Sequence, residues 1–305
     1  MKKLFGVTVA LITPMDADGM FDPEAMRRLT SILIKKGVNC LYPCGTTGEM
    51  NKLSLKERKK VAETVISEVN HRVTVFIHVG AEAETKTLKL AKHAYEIGAD
   101  GIGIITPRFL GCNNREITGY YMRIAKELPN KFPIYLYNIP QYTASDLTYE
   151  AVIDIYNNNE NVIGIKYSYT DFNRTLEYLK VSPNFSVLHG CDKLFSSFLV
   201  LGCNGTVSGV AGVFPEPFIK VYENFLLSDI AEMQKWQRIG VEICDILKCG
   251  KNMAYFKKAL SYRGISAGHM RLPQLDLCEE EKIKLVEQLD EFCKRNGIRK
   301  DICIP

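Results

Sequence analysis

The sequence lacks a pronounced excess of charge of either sign. Its 305 residues contain 39 Lys and Arg against 35 Asp and Glu, which gives a formal net charge of +4. The densest basic run, at 56–60, is interrupted by Glu57 and is typical of a solvated helix face. Binding to nucleic acid or to an anionic membrane would require a larger or more clustered basic excess. We therefore expect no nucleic acid and no membrane among the partners of this chain.

Long apolar runs are missing as well. No stretch approaches the roughly 18 apolar residues that a membrane-spanning helix requires. The apolar run near the N-terminus is short, is interrupted by Gly6 and Thr8, and is followed by Pro14 and Asp16 without a small-residue cleavage site. We interpret it as a first strand and not as a signal peptide, and we expect a cytoplasmic protein.

A metal-binding pattern is also absent, although the chain has ten cysteines. No pair has C-x-x-C spacing, and Cys40 and Cys44 are followed by no histidine or second cysteine pair at metal-ligand spacing. Disulfide frameworks are typical of short secreted chains, whereas a chain of this length can build a large core without them. The sequence therefore predicts reduced thiols packed as small hydrophobic side chains, and no metal site.

What the sequence does contain is a regular alternation of short apolar strands and amphipathic helices. The predicted strands are Val7–Thr13, Cys40–Pro43, Thr74–Val79, Gly101–Thr106, Pro133–Asn138, Val162–Tyr167, Ser186–His189 and Gly205–Val210. Eight strand–helix steps of this length indicate a parallel sheet with right-handed crossovers. They match a (β/α)₈ barrel better than an open sheet. The first βα turn also lacks the G-x-G-x-x-G of a dinucleotide-binding sheet.

Helices are predicted between these strands and after the last of them. The predicted helices are Pro23–Lys36, Leu53–Val69, Glu84–Ile97, Glu116–Glu127, Thr148–Asn157, Phe172–Val181, Leu194–Leu201, one beginning near Pro215, and then Asp229–Leu247, Met253–Tyr262 and Glu279–Asn296. The sequence thus predicts an α/β protein, with a (β/α)₈ TIM barrel over 1–228. A C-terminal helical extension, packed on the barrel, is predicted over 229–305.

Polar groups at the strand ends are the first candidates for function, because the active site of a barrel lies at the C-terminal ends of its strands. The second strand leads into Gly45-Thr46-Thr47-Gly48-Glu49, in which two glycines bracket two hydroxyl groups. Such a tight turn exposes backbone N–H groups and can hold a carboxylate without a cation. An ordinary βα turn is the alternative interpretation.

The fifth and sixth strands also end in reactive groups. Tyr137 could relay a proton, although a core tyrosine with a locally satisfied hydroxyl is the commoner case. Lys166 ends an otherwise apolar strand, where a desolvated amine is suited to attack a ketone carbonyl. A structural lysine is the alternative there.

The seventh and eighth strands end in segments that contain Gly190, Asp192 and Gly209. Their position at the same end of the barrel predicts that they line the far part of a substrate. Tight barrel packing is an equally good reason for the glycines.

Taken in order, GTTGE at 45–49, YNIP at 137–140 and GIK at 164–166 resemble the motifs of the dihydrodipicolinate synthase/N-acetylneuraminate lyase superfamily. The resemblance runs from about Gly6 to Pro273 and includes the RLP at 271–273. It implies a (β/α)₈ barrel with a helical C-terminal extension, assembled as a homotetramer that is a dimer of dimers. It also implies a lyase that forms a Schiff base with pyruvate or another 2-oxo acid.

The resemblance assigns roles to individual residues. Lys166 is the nucleophile, Tyr137 the proton-transfer phenol, and Thr46 and Thr47 receive the carboxylate of the pyruvyl unit. The other substrate contacts are then expected from Gly48, Ser168, Gly190, Asp192 and Gly209. A protonated imine on Lys166 is itself an electron sink, so we expect no cofactor and no metal.

Two departures separate the chain from dihydrodipicolinate synthases. Those enzymes usually have an arginine two residues after the YNIP-type proline, which binds the carboxylate of aspartate semialdehyde, and Tyr142 stands here instead. They also usually present T-P-Y-Y after the fourth strand, and the second tyrosine completes a proton relay in the neighbouring subunit. This chain has Phe109 there, which cannot relay a proton. Arg108 precedes it, and we expect that arginine to be exposed and solvated, with contact to a second anionic group as the alternative.

The match to N-acetylneuraminate lyases is closer but partial. The chain has YNIP and the hydroxyl of Ser168 two residues past the lysine, but Lys193 follows Asp192 where those lyases have a second acid. We expect an N-acetylneuraminate lyase-like enzyme or a 2-keto-3-deoxy sugar acid aldolase. The alternatives are a dihydrodipicolinate synthase with an altered acceptor site, and a barrel that binds a metabolite without turnover.

Overall fold

A computed structural model describes residues 1–303, and its centre is a closed barrel of eight parallel strands. Each strand pairs with the next along the chain, and β8 pairs with β1. The strands are β1 (Gly6–Ala10), β2 (Cys40–Tyr42), β3 (Thr74–His78), β4 (Gly101–Ile105), β5 (Ile134–Asn138), β6 (Val162–Tyr167), β7 (Ser186–His189) and β8 (Gly205–Ser208). The prediction of a (β/α)₈ barrel is confirmed.

Helices surround the barrel and continue beyond it. They are α1 (Pro23–Lys36), α2 (Leu55–Val69), α3 (Glu84–Glu96), α4 (Asn114–Lys126), α5 (Pro140–Thr143), α6 (Tyr149–Asn158), α7 (Phe172–Leu179), α8 (Phe195–Leu201), α9 (Pro215–Leu226), α10 (Ile230–Ile246), α11 (Met253–Tyr262) and α12 (Glu279–Asn296). Of the last three helices, α10 packs on α9 and α8 of the barrel, and α12 contacts both α10 and α11. None of the helices in residues 1–303 has the length and apolarity needed to cross a membrane.

Helix ends follow the capping chemistry of the sequence. Asp22 caps α1 by accepting hydrogen bonds from two backbone N–H groups, and Ser54 and Glu57 form a capping box at the start of α2. Asn113 forms a second capping box, so α4 begins at Asn114, two residues before the predicted start. The single turn of α5 was not predicted, because four residues are too few to show helical periodicity.

Several predicted strands extend too far at their C-terminal ends. β1 ends at Ala10 instead of Thr13, and β8 ends at Ser208 instead of Val210. The residues just after each strand are still apolar and buried, so hydrophobicity alone does not mark the point at which the chain leaves the sheet. After β8, for example, the buried segment 210–212 forms a short 3₁₀ turn.

The inside of the barrel is filled by large side chains, one of which needs the space left by a glycine. Tyr42, Phe76 and Tyr135 belong to one buried cluster within the barrel. A Cβ atom on Gly103 of β4 would lie only 1.8 Å from the hydroxyl oxygen of Tyr42. Gly103 therefore creates the space that the Tyr42 ring occupies.

The cysteines are all free. Burial raises the pKa of the Cys40 and Cys44 thiols to about 11, so both are protonated at neutral pH. No group of three or more His, Cys, Asp or Glu side chains in residues 1–303 is placed to hold a metal ion.

We predict that Gly103→Ala destabilises the protein by on the order of 3 kcal/mol, because the new methyl group would collide with the fully buried Tyr42. Gly240→Ala is the matched control. A Cβ atom at Gly240, inside α10, would be in ordinary contact 3.4 Å from Phe218, and the helix should gain up to about 1 kcal/mol. Denaturant unfolding of both variants measures the difference. Equal stability of the two variants would contradict the assigned role of Gly103.

Candidate active site

A cavity of about 580 Å³ opens at the C-terminal ends of the barrel strands, and we call it the inner cavity. Eight of the nine site residues predicted from the sequence line it: Thr46, Thr47, Tyr137, Lys166, Ser168, Gly190, Asp192 and Gly209. Gly48 is the exception. It is buried beneath the turn, where a Cβ atom would lie 3.0 Å from the carbonyl oxygen of Leu11. Strand ends distant in sequence thus meet around one space.

Lys166 lies at the base of the inner cavity and is only 6% exposed. Its Nζ is 4.0 Å from the ring centroid of Tyr137 and 5.3 Å from that of Tyr42. The pairing of β5 with β6 places Tyr137 directly beside Lys166. No carboxylate in residues 1–303 forms an ion pair with this amine. The faces of two aromatic rings, and no counter-charge, therefore surround the nitrogen.

His78 packs behind these two rings. It is fully buried, and its ring meets the Tyr137 ring edge-on, with a centroid distance of 5.9 Å and an interplanar angle of 89°. Burial, followed by the positive charge of Arg58, holds the pKa of His78 well below its usual range. The imidazole is therefore neutral at physiological pH and places no second cation behind Lys166.

The turn at 45–49 presents backbone N–H groups, as the sequence predicted. The N–H of Gly48 donates to the carbonyl of Gly45, and that of Glu49 donates to Thr46. The N–H groups of Thr46 and Thr47 have no hydrogen-bond partner in residues 1–303. Two adjacent free donors and two hydroxyl groups on the cavity wall form a suitable receptor for a carboxylate.

A buried ion pair holds this turn against the helical extension. Glu49 Oε1 lies 2.8 Å from Nζ of Lys257 on α11, and both side chains are only 2% exposed. Lys257 also donates to the carbonyl oxygen of His269 at 2.6 Å, and the other oxygen of Glu49 lies 2.9 Å from Lys52 Nζ. The turn is therefore anchored to a segment more than two hundred residues further along the chain.

Asp192 provides the acidic group of the inner cavity. Burial raises the pKa of its carboxyl to about 6, even though hydrogen bonds from Ser208 and Thr206 favour the ionised form. The hydroxyl of Thr206 lies 3.2 Å from Asp192 Oδ1. The ionised carboxylate, present above about pH 6, can accept hydrogen bonds from ligand hydroxyl groups.

The glycines that follow β7 and β8 allow neighbouring parts of the cavity wall to approach each other closely. A Cβ atom on Gly190 would lie 2.0 Å from the hydroxyl oxygen of Ser168, and one on Gly209 would lie 3.0 Å from that of Thr47. Steric crowding therefore explains why both positions are glycine, and both residues also line the inner cavity. The two interpretations that the sequence left open are compatible.

The segment after β5 carries no cation into the cavity. Gln141 donates through Nε2 to the carbonyl oxygen of Ser168 at 2.7 Å, and Tyr142 lies at the rim with 61% exposure. The charged residues that line the inner cavity are Lys166, Asp192, Lys193 and Lys251. Position 142 is thus a tyrosine, and no other residue of α5 supplies a cation.

The expectation that Arg108 is exposed and solvated is wrong. Its side chain is 11% exposed and binds Glu82, with 3.0 Å between Nη2 and Oε1, and Asn51. Acidic and amide groups on neighbouring loops enclose the guanidinium. The sequence gives no periodic pattern that relates these groups to position 108, so the contact could not be predicted. Phe109 follows in a left-handed conformation with φ of 82° and is 93% exposed.

Several residues of the site were not predicted from the sequence. Tyr42 and His78 look like ordinary residues of buried strands, and Lys257 looks like part of an amphipathic helix. A polar residue at the end of an apolar strand was the available signal for His78, as it was for Lys166. No local signal indicates that Lys257 pairs with Glu49.

We predict that Lys257→Met lowers the free energy of unfolding by on the order of 3 kcal/mol, because it leaves the buried Glu49 carboxylate without its main counter-charge. Lys220→Met is the control. Lys220 pairs with Glu223 on the surface of α9, where both side chains are 50% exposed, and its loss should cost less than about 1 kcal/mol. Urea unfolding at neutral pH measures both changes, and losses of the same size would contradict the assigned role of Lys257.

Comparison with known proteins identifies the family. A model of the dihydrodipicolinate synthetase family matches residues 3–292. The 4-hydroxy-tetrahydrodipicolinate synthase of Methanothrix thermoacetophila is 32% identical over 295 residues, which cover 96% of this chain and 98% of that protein. The probable 2-dehydro-3-deoxy-D-pentonate aldolase YjhH of Escherichia coli is 34% identical over 235 residues, 76% of this chain and 77% of that one.

Solved structures agree with this assignment. YagE, a prophage protein of Escherichia coli belonging to the dihydrodipicolinic acid synthase family and solved with pyruvate, superposes with a TM-score of 0.90 at 28% identity, over 95% of this chain and 99% of that chain. Dihydrodipicolinate synthase of Aquifex aeolicus also gives 0.90 at 28% identity, over 97% and 99%. The chain belongs to the dihydrodipicolinate synthetase family and is a lyase of the aldolase type.

Proposed function

We propose that this protein is a Schiff-base-forming aldolase that cleaves a 2-oxo-3-deoxy sugar acid to pyruvate and an aldehyde, or forms it from them. The observation that carries the proposal is the position of Lys166, buried between the Tyr137 and Tyr42 rings at the base of a cavity. The YagE complex with pyruvate and the name of YjhH support the same class of reaction.

The first half of the reaction joins substrate and enzyme. The neutral amine of Lys166 attacks the ketone carbon of the substrate, whose carboxylate lies on the free N–H groups of Thr46 and Thr47. Tyr137 passes one proton from the nitrogen to the oxygen and donates its own as water leaves, so the carbinolamine becomes a protonated imine beside a Tyr137 phenolate. The aromatic faces that surround the nitrogen also stabilise the iminium charge.

The second half breaks the carbon–carbon bond. Tyr137 takes the proton of the hydroxyl on C4, the C3–C4 bond breaks, and its electron pair moves through C3 to the iminium nitrogen. An aldehyde leaves and an enamine remains. Protonation at C3 and hydrolysis of the imine release pyruvate and return the Lys166 amine. We propose that the reaction needs no cofactor or metal, because the protonated imine itself accepts the electron pair of the broken bond.

Ser168, Asp192 and the backbone at Gly190 and Gly209 would bind the hydroxylated part of the substrate. These groups line the same cavity as the turn at 45–49 and offer both donors and acceptors. An N-acetylneuraminate lyase-like substrate and a 2-keto-3-deoxy sugar acid both fit this description. Gly48 would contribute by shaping the turn from beneath it.

A 4-hydroxy-tetrahydrodipicolinate synthase is the second candidate, and the names of several relatives favour it. Two positions count against it. Tyr142 provides no cation for the carboxylate of aspartate semialdehyde, and Phe109 offers no hydroxyl to a relay. Membership of a family of lyases argues against a barrel without turnover.

We further propose a homotetramer that works in the cytoplasm. Phe109 and Leu110 are 93% and 74% exposed, and an apolar pair of this kind suits contact with a second copy of the chain. The ten unpaired cysteines suit a reducing compartment.

The imine can be trapped directly. Borohydride reduction in the presence of pyruvate should add one reduced pyruvyl group to Lys166, located by peptide mass mapping, because reduction fixes the imine as an amine. Lys166→Ala should abolish the adduct while circular dichroism stays unchanged. Lys193→Ala is the control, since Lys193 lines the same cavity but pairs with Asp245, and the adduct should persist. An adduct elsewhere, or none, would overturn the proposal.

A substrate panel tests the class of reaction. We expect cleavage of 2-keto-3-deoxygluconate or sialic acid, and no rapid condensation of pyruvate with aspartate semialdehyde. Rapid condensation with aspartate semialdehyde alone would replace our proposal with the second candidate.

The Asp192 carboxyl should control the acid side of the pH profile. Its pKa of about 6 makes it ionised above that pH and neutral below, so kcat/KM for a hydroxylated substrate should fall as pH drops through about 6. Asp192→Asn should lower kcat/KM above about pH 6 to the level that the wild-type enzyme shows below it, and so remove this inflection. An inflection that persists in Asp192→Asn would assign it to a different group.

A further inference from the structure

The inner cavity continues into a second, larger one. This outer cavity, of about 1170 Å³, lies between the mouth of the barrel and the helical extension. The two cavities share five lining residues, which form their junction: Thr46, Tyr142, Gly250, Lys251 and Met253. A substrate bound to Lys166 therefore has room to extend past the turn at 45–49 towards the loop between α10 and α11.

Most charged side chains that line the two cavities already have a counter-charge or a hydrogen bond. Lys193 pairs with Asp245, and Arg271 binds Glu57 together with two carbonyl oxygens. The acids of the outer cavity are also engaged: Glu49 with Lys257 and Lys52, Asp276 with His269, and Glu281 with Tyr255 and the Cys278 N–H.

Lys251 differs from these residues. It lies at the junction, it is exposed, and its ammonium group has neither an ion pair nor a hydrogen bond in residues 1–303. No acidic side chain is placed to neutralise it, since every acid of the outer cavity has another partner. The junction therefore carries one unbalanced positive charge. It faces the space that the far end of a substrate would fill.

We propose that the substrate carries a second anionic group at the end remote from its ketone, and that Lys251 binds that group. This inference rests on the proposed aldolase function and narrows its substrate class to sugar acids with a terminal carboxylate or phosphate. Lys251 would determine substrate specificity and take no part in the chemical step, because the carbon–carbon bond that breaks lies near Lys166.

Three features of the cavity favour an anion at this end. The carboxylate next to the ketone is already accommodated by the uncharged turn at 45–49, so Lys251 is not needed for it. Asp192, the acid that can accept substrate hydroxyls, lines only the inner cavity and is absent from the junction. A flexible lysine is also a point charge that suits carboxylate and phosphate equally well.

The test compares substrates that differ only at the far end. Cleavage of 2-keto-3-deoxygluconate, which ends in a neutral hydroxyl, is measured beside its 6-carboxylate and 6-phosphate counterparts. We expect kcat/KM to be about tenfold or more higher for an anionic substrate, the effect of one hydrogen bond to a charged group. The substrate with the higher value identifies the anion as carboxylate or phosphate.

Variants at the junction assign the preference to Lys251. Lys251→Met should raise KM for the anionic substrate about tenfold and leave KM for the neutral one unchanged, whereas Lys251→Arg should retain most of the preference. Lys248→Met is the matched control, because Lys248 lies on the same loop but lines neither cavity and packs over the Tyr255 ring. It should leave all three substrates unaffected.

Two results would overturn the inference while the proposed function stands. One is a wild-type enzyme that forms the pyruvate adduct on Lys166 and cleaves neutral and anionic substrates equally well. The other is an equal loss for both kinds of substrate in Lys251→Met. If wild-type enzyme forms no pyruvate adduct and cleaves none of the three substrates, the proposed function itself fails and the inference fails with it.

Discussion

The proposed attack of the Lys166 amine on a ketone requires a nitrogen that is shielded from water and forms no ion pair with a carboxylate, and this requirement organises the centre of the molecule. The Lys166 nitrogen meets it by lying against the Tyr137 and Tyr42 rings. Such ring faces carry no full negative charge, so the nitrogen forms no ion pair with them, and they stabilise the positive charge once the imine has formed. The surrounding barrel supports the arrangement: β5 places Tyr137 beside the lysine, and Gly103 makes space for the Tyr42 hydroxyl.

The rest of the site follows from where barrel strands end. A parallel barrel brings the carboxyl ends of all its strands to one face, so groups from 46 to 209 meet although they are carried by five different βα units. Different groups of the cavity are expected to bind different parts of the ligand. In the proposed function, the turn at 45–49 offers uncharged N–H donors to the carboxylate beside the ketone, and Ser168 and Asp192 offer a hydroxyl and a carboxyl to the rest of the substrate.

The barrel and most of its mouth were predictable from sequence because both depend on local patterns. Apolar runs of strand length predict buried parallel strands, and a polar residue such as Lys166 at the end of one stands out. Pairings between distant elements were not predictable. Arg108 was misjudged because its partners Glu82 and Asn51 lie on other loops, and Lys257 was overlooked because helical periodicity does not reveal which buried acid it will meet.

The ion pair between Glu49 and Lys257 has a consequence for the dynamics of the protein. Partial unfolding of α11 would strip the counter-charge from a carboxylate that is 2% exposed, which makes such an opening costly. The extension and the turn that is proposed to bind the substrate carboxylate should therefore open together or not at all. Amide hydrogens in α11 and at 45–49 then belong to one cooperative unit, although they are far apart in the chain.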